Sequence, residues 1–135
     1  MRALMADNDI LGQMQVLVFL LESEEWRDLW SSLGLGIRTF ADLTFGPSVA
    51  DADLWHACQK EQIVLITGNR NKAGSDSLEA TIQTFGTPAS LPVFTLADPK
   101  QVLASRDYAN QVVARFLEYL MEIDNVRGAG RLWLP

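Results

Sequence analysis

A chain of 135 residues with 48% hydrophobic content is long enough for one cored domain and too apolar to be disordered. Its net charge of −6 and sequence pI of about 4.6 exclude broad electrostatic binding of nucleic acid or of an anionic membrane, while leaving room for a local basic patch. A lone cysteine, Cys58, excludes an intramolecular disulfide framework and fits a reducing cytoplasm.

Residues 2–6 read as a strand that runs into acid at Asp7-Asn8-Asp9. Residues 9–22 read as a helix with Ile10, Met14, Leu17 and Leu21 on one face. Its apolar run is interrupted by Gly12, Gln13 and Gln15 and falls short of the roughly 20 residues that span a bilayer, so a buried helix is expected. No signal-peptide pattern precedes it, and a cytoplasmic, non-membrane protein is the expectation. A second helix is predicted from Glu24 to Leu33, ended by Gly34 and Gly36. Phe19, Leu20, Trp26 and Trp30 exceed what one core should cover, which predicts a homodimer or a surface kept for a partner.

Ile37 to Phe40 reads as a short strand, and Thr44 to Val49 as a loop. A helix from about Ala52 to Glu61 follows, headed by Asp51 and Asp53, and then the strand 63–67. That strand closes on Thr67-Gly68-Asn69-Arg70-Asn71. A loop leads to a helix from about Asp76 to Phe85, and Leu91 to Leu96 is a strand with Pro92 at its start. Asp98-Pro99 signals a helix start, cap then first-turn proline. The last helical region runs to about Asp124 with a break near Ser105-Arg106-Asp107, and it buries Val112, Val113, Phe116, Leu117, Leu120 and Met121. The tail 131–135 reads as a terminal strand. The alternation predicts one α/β domain over 1–135, a three-layer α/β/α sandwich with a mostly parallel sheet.

Several chemistries are set aside. There is no GxGxxG, GxxxxGK[ST] or GxSxG motif. His56 and Cys58 stand two apart on a helix and point to different sides, so they form neither a nucleophile pair nor a zinc site. The four tryptophans, at 26, 30, 55 and 133, read as core or interface.

The acids and amides at two strand ends and one helix start suit a hard divalent cation with oxygen ligands. In their order, a strand ending in Asp7, an acid-led helix at Asp51-Ala52-Asp53, and a strand closing on Val64-Leu65-Ile66-Thr67-Gly68-Asn69-Arg70-Asn71, they resemble the PIN-like nuclease superfamily, closest to its compact bacterial branch. The resemblance covers roughly the first 80 residues, and more loosely the remaining sheet. It implies a metal-dependent ribonuclease acting on single-stranded RNA, using Mg2+ or Mn2+, often a toxin held by an antitoxin-like partner. Carried over by position, Asp7 matches the first acid, and Asp51 or Asp53 the acid of the middle helix. Asn69 and Asn71 fall where the family has aspartates, and Asp76, with Glu79 a turn later, could supply a late carboxylate. Metal ligands are then Asp7, Asp51, Asp53, Asn69 and Asn71, with Arg70 or Lys72 on a substrate phosphate. An amide oxygen can ligate magnesium but has no charge and cannot act as a base. Lys72 also replaces the family's usual aromatic residue.

Each residue also has a local reading. Asp9 and Asp51 could cap helices, Asp53 could favour a first turn, Asp76 with Glu79 could form a capping box, and Asn69 and Asn71 could serve turns. Two function classes stay open: the ribonuclease, and a catalytically silent PIN-like module that binds a protein or RNA. A phosphate-accepting receiver domain needs an aspartate where this strand has Thr67-Gly68-Asn69, and is discounted.

Overall fold

The computed structural model describes residues 1–70 and 77–135. Among them are five strands, β1 (Ala3–Ala6), β2 (Gly36–Arg38), β3 (Ile63–Thr67), β4 (Val93–Leu96) and β5 (Arg131–Leu134). They form one sheet in the order β2-β1-β3-β4-β5, and every pairing is parallel. The helices are α1 (Leu11–Leu21), α2 (Arg27–Ser32), α3 (Asp51–Glu61), α4 (Leu78–Phe85), α5 (Pro99–Ala104), α6 (Arg106–Met121) and α7 (Ile123–Val126). The expected α/β architecture is therefore present.

Both faces of the sheet are covered, which is why β1 and β3 read as continuous apolar runs rather than alternating ones. Leu4, Ala6, Val64, Ile66, Phe94 and Leu96 pack against α1, α5 and α6. Ala3, Met5, Ile63, Leu65 and Val93 pack against α3 and α4. Phe94 is fully buried and meets Phe116 of α6 edge-on at 5.0 Å between ring centres. Each such side chain contributes about 1.5–3 kcal/mol by leaving water.

The chain reaches these positions by four crossovers. Two crossovers whose helices share a face but whose strands step toward opposite edges have opposite hands. The steps β1 to β2, through α1, and β4 to β5, through α5 and α6, stand in that relation. The steps β2 to β3 and β3 to β4, through α3 and α4 on the other face, share the hand of the first. The step β4 to β5 is therefore the one whose hand differs from that of the other three.

Local signals account for most boundaries. Gly34, at φ 64°, ends the α2 region in the left-handed conformation. Asp98 caps α5 by accepting from the Gln101 N–H, with Pro99 in the first turn. The break expected near 105–107 is real, because the Ser105 hydroxyl caps α6 by accepting from the Tyr108 N–H at 3.2 Å. Ser77, rather than an acid, caps α4 through the Ala80 N–H.

Three expectations are corrected. The second helix starts at Arg27, since residues 22–26 form turns bonded back onto α1, among them Ser23 N–H to Leu20 O. Met121 lies half outside at 51% exposure, because it stands one residue past Leu120 and so rotates off the buried stripe. Of the residues proposed as excess apolar surface, Leu20 is buried and Trp26 and Trp30 pack against the core. The Trp26 indole N–H also donates to Asn110 Oδ1 at 2.9 Å. Phe19 remains exposed, with Leu11 and Ile37, beside a groove of about 700 Å3 between α1 and β2. Among the described residues no helix is long and apolar enough to cross a membrane.

Candidate functional site

The strand order reverses direction between β1 and β3. The chain leaves β1 toward one edge and β3 toward the other, which opens a crevice at their carboxyl ends. Asp7 follows the last residue of β1, and its N–H continues the ladder to Ile66 O at 2.8 Å. This fixes its carboxylate beside Thr67, the buried last residue of β3. The Thr67 hydroxyl donates to Asp7 Oδ2 at 2.8 Å and accepts the Asn69 N–H at 2.9 Å. The Asn69 side-chain amide donates to Asp51 Oδ2 at 3.0 Å. One polar chain, Asp7–Thr67–Asn69–Asp51, thus joins the end of β1, the end of β3 and the start of α3.

The capping reading of Asp51 does not hold. Ala50 occupies the cap position, with no side-chain bond to α3. Asp51 instead turns to the loop beyond β3, where its Oδ2 accepts the Asn69 amide and the Leu78 N–H at 3.2 Å. Asp9 likewise caps no helix. The cap of α1 is Ile10, and Asp9 Oδ1 accepts the Gly68 N–H at 3.4 Å. Gly68 permits that approach, since a Cβ there would stand 3.0 Å from both Asp9 Oδ2 and Ile10 Cγ2.

The electrostatics agree with the geometry. Burial pushes the Asp7 carboxyl above the usual carboxylate range, the Thr67 and Asn8 hydrogen bonds oppose this, and the charge of Asp51 adds to it. Burial also raises Asp9, with further contributions from Asp7 and Asp51 and opposition from the Gly68 bond. Asp7 and Asp9 therefore both sense the charge of Asp51, and Asp9 senses that of Asp7. Cys58, on α3, is buried and its thiol is pushed up to about 12, so it is a packing residue without nucleophilic chemistry.

The predicted residues divide as follows. Asp7, Asp51 and Asn69 come together. Asp53 is exposed on the first turn of α3 and stands outside the hydrogen-bond chain. Arg70 donates to Ala97 O at 2.7 Å, just past β4, and its guanidinium lies 5.8 Å from the Trp133 ring centre. Asn71, Lys72 and Asp76 lie outside the described residues. Glu79 is not half of a capping box. It forms an ion pair at 3.0 Å with Arg131, the first residue of β5.

Arg131 is the participant that sequence reasoning missed. Its NH1 donates to Asn69 O at 2.9 Å and to Thr95 Oγ1, so it ties β5, β4 and α4 to the crevice loop. The available signal was the period-two pattern of the tail, which sets Arg131 and Trp133 on one face and Leu132 and Leu134 on the other.

Asp7, Asp9, Asp51 and Asn69 offer only hard oxygen donors, which is the chemistry of Mg2+ or Mn2+ sites. Among the described residues, however, no three His, Cys, Asp or Glu side chains are grouped closely enough to form a ready metal site. The donor type fits a divalent cation, and the mutual repulsion is what a cation would relieve.

One stability prediction arises here. The raised Asp7 carboxyl means that the folded protein holds this proton more tightly than the unfolded chain does. Its stabilising contribution is full below the unfolded value and is lost as pH rises through the folded one. In chelator, Asp7→Asn should therefore melt at or above the wild type near neutral pH, and the wild type should gain on it as pH falls toward about 4, the unfolded value, below which the gap stays constant. A gap between their melting temperatures that is constant across this range would show that Asp7 carries no burial cost.

No family model matches this chain, and neither the curated proteins nor the solved structures contain a match to it.

Proposed function

We propose that this chain is a divalent-cation-dependent ribonuclease of PIN-like type, acting on single-stranded RNA at the crevice between β1 and β3. The reading is carried by one observation. Asp7 and Asp9 at the end of β1 and Asp51 at the start of α3 stand together at the carboxyl ends of the strands, where the charge of Asp51 adds to the raised carboxyls of Asp7 and Asp9. Cations and phosphates are bound at such a place in open parallel sheets.

Asp7, Asp9 and Asp51 would hold the cation, with Thr67 orienting Asp7 and Asn69 orienting Asp51. A bound Mg2+ or Mn2+ supplies an acidified water and neutralises charge on the phosphate. Asp9, with its carboxyl raised as that of Asp7 is, would hold a proton more readily than an ordinary aspartate until a cation displaced it. Arg70 at the rim would meet a phosphate oxygen. An antitoxin-like partner or a second copy of the chain would find apolar surface in the groove beside Phe19.

The test is a calorimetric Mg2+ titration paired with cleavage of a fluorescent single-stranded RNA. The wild type should bind Mg2+ and cleave in Mg2+ or Mn2+, and Asp7→Asn should lose both. Cleavage that persists in chelator and in Asp7→Asn would overturn the reading.

A second reading has its own observation. The Asn69 amide already satisfies Asp51 with a neutral donor, where a cation site would gain from another acid. A catalytically silent PIN-like module that binds RNA or protein accounts for that bond directly. Absence of both Mg2+ binding and cleavage in the wild type would select it.

A further inference from the structure

Next to the crevice, on the face that carries α3 and α4, α4 and β5 enclose a cavity of about 360 Å3. Its walls include Arg70, Glu79, Gln83, Arg131 and Trp133. Trp133 stands on β5, which is an edge strand, and its surface is 43% exposed. A single exposed aromatic residue needs no explanation. What distinguishes this one is its company. The guanidinium carbons of Arg70 and Arg131 lie 5.8 and 5.9 Å from the indole centre. In a chain of net charge −6, two cations beside one aromatic ring form a local exception to the surface.

The two arginines differ in commitment. The Arg131 side chain is only 9% exposed, is neutralised by Glu79, and is held by Thr95 and Asn69. It is a rigid wall. Arg70 is exposed and makes one hydrogen bond, to Ala97 O, among the described residues. Among the described residues its other donors meet no acceptor, and a guanidinium carries five. The cavity thus offers a π surface, a cation with free donors, and the Gln83 amide, which can both donate and accept. A nucleotide carries the complementary set, namely an aromatic ring, a phosphate and a polar base edge.

We infer that the cavity between α4 and β5 binds one nucleotide unit, its base against Trp133 and its phosphate on Arg70. The inference rests on reading the chain as directed at nucleic acid, but it does not require cleavage. Arg131 joins the two sites by holding Asn69 O from within the wall of the cavity. A strand with one base on Trp133 would therefore pass the adjoining crevice. Recognition by stacking is tolerant of sequence, and few phosphates are engaged, so binding should depend only weakly on salt.

The experiment measures binding in chelator, where no cation-dependent cleavage proceeds. Fluorescence anisotropy would follow labelled single-stranded RNA and DNA hexamers, with competition by adenosine monophosphate, uridine monophosphate and inorganic phosphate. Trp133→Ala should weaken hexamer binding about 5- to 150-fold, the range for loss of one stacked base. Trp133→Phe, which keeps a ring, should retain most of the affinity and so controls for misfolding. Arg70→Ala should weaken binding and lower the salt slope by about 0.7. Competition by the monophosphates would identify a free nucleotide as a sufficient ligand. Binding of hexamers alone would identify the polymer, and RNA against DNA would identify the sugar.

Competition by inorganic phosphate equal to that by the nucleotides would overturn the inference, as would wild-type affinity in both Trp133→Ala and Arg70→Ala. Failure here leaves Mg2+ binding and cleavage untouched. Loss of cleavage with intact, Trp133-dependent binding would instead discard the ribonuclease reading alone.

Discussion

Glu79→Ala should cost the fold about 3–5 kcal/mol, because it strands a buried cation. The Arg131 side chain is 9% exposed and Glu79 is its ion-pair partner, at 3.0 Å. Its remaining bonds, to Asn69 O and Thr95 Oγ1, involve neutral oxygens that cannot balance a full charge. One further nitrogen, NH2, is buried with no hydrogen-bond partner among the described residues. Urea denaturation of Glu79→Ala should show a much lower midpoint. Adding Arg131→Met should recover much of the loss, since removing both charges is far less costly than removing one. If Glu79→Ala alone unfolds at the wild-type midpoint, water reaches Arg131 and the pair is a surface pair.

Asn69→Asp should separate the chelated and cation-bound protein more than any other single change in the crevice. In chelator it removes the donor to Asp51 and sets a carboxylate in its place. A lost partner for a part-buried polar group costs about 1–3 kcal/mol, and the new repulsion acts in the same direction. With Mg2+ the sign reverses, because an added formal charge tightens a hard-cation site. At a hundredfold excess of Mg2+ over its dissociation constant the folded state gains about 2.7 kcal/mol. Denaturation midpoints of Asn69→Asp in chelator and in excess Mg2+ should therefore differ by more than those of the wild type. Equal midpoints would mean that the aspartates do not gather a cation, and would favour the silent module.

The parts of this structure that could be read from sequence are those with a local cause. β1 and β3 announce themselves as apolar runs that stop at Asp7 and Thr67, and Asp98-Pro99 and Ser105 mark helix starts through bonds to the next turn. The meeting of Asp7, Asn69 and Asp51 followed from placing three segments at strand ends, an argument about topology. The alternative reading of Asp9 and Asp51 as helix caps does not hold, because each carboxylate finds a partner across the crevice instead of in its own turn. Arg131 and Glu79 are 52 residues apart, and nothing in either neighbourhood signals the other. Thr67 was visible as the end of a strand, but its double role between Asp7 and Asn69 depends on a register shared by β1 and β3.

The reversed hand of the final crossover decides what the last strand shows to solvent. A step from β4 to β5 of the same hand as the other three would carry α5, α6 and α7 over the face that already holds α3 and α4. Those helices would then roof β5, and a third layer would bury the indole and guanidinium groups of its outer side. By passing over the other face, the chain thickens the wall behind β5 and leaves its front bare beyond α4. The ledge on which Trp133 sits is thus a by-product of connectivity. It arises from the route by which the chain returned to its own sheet.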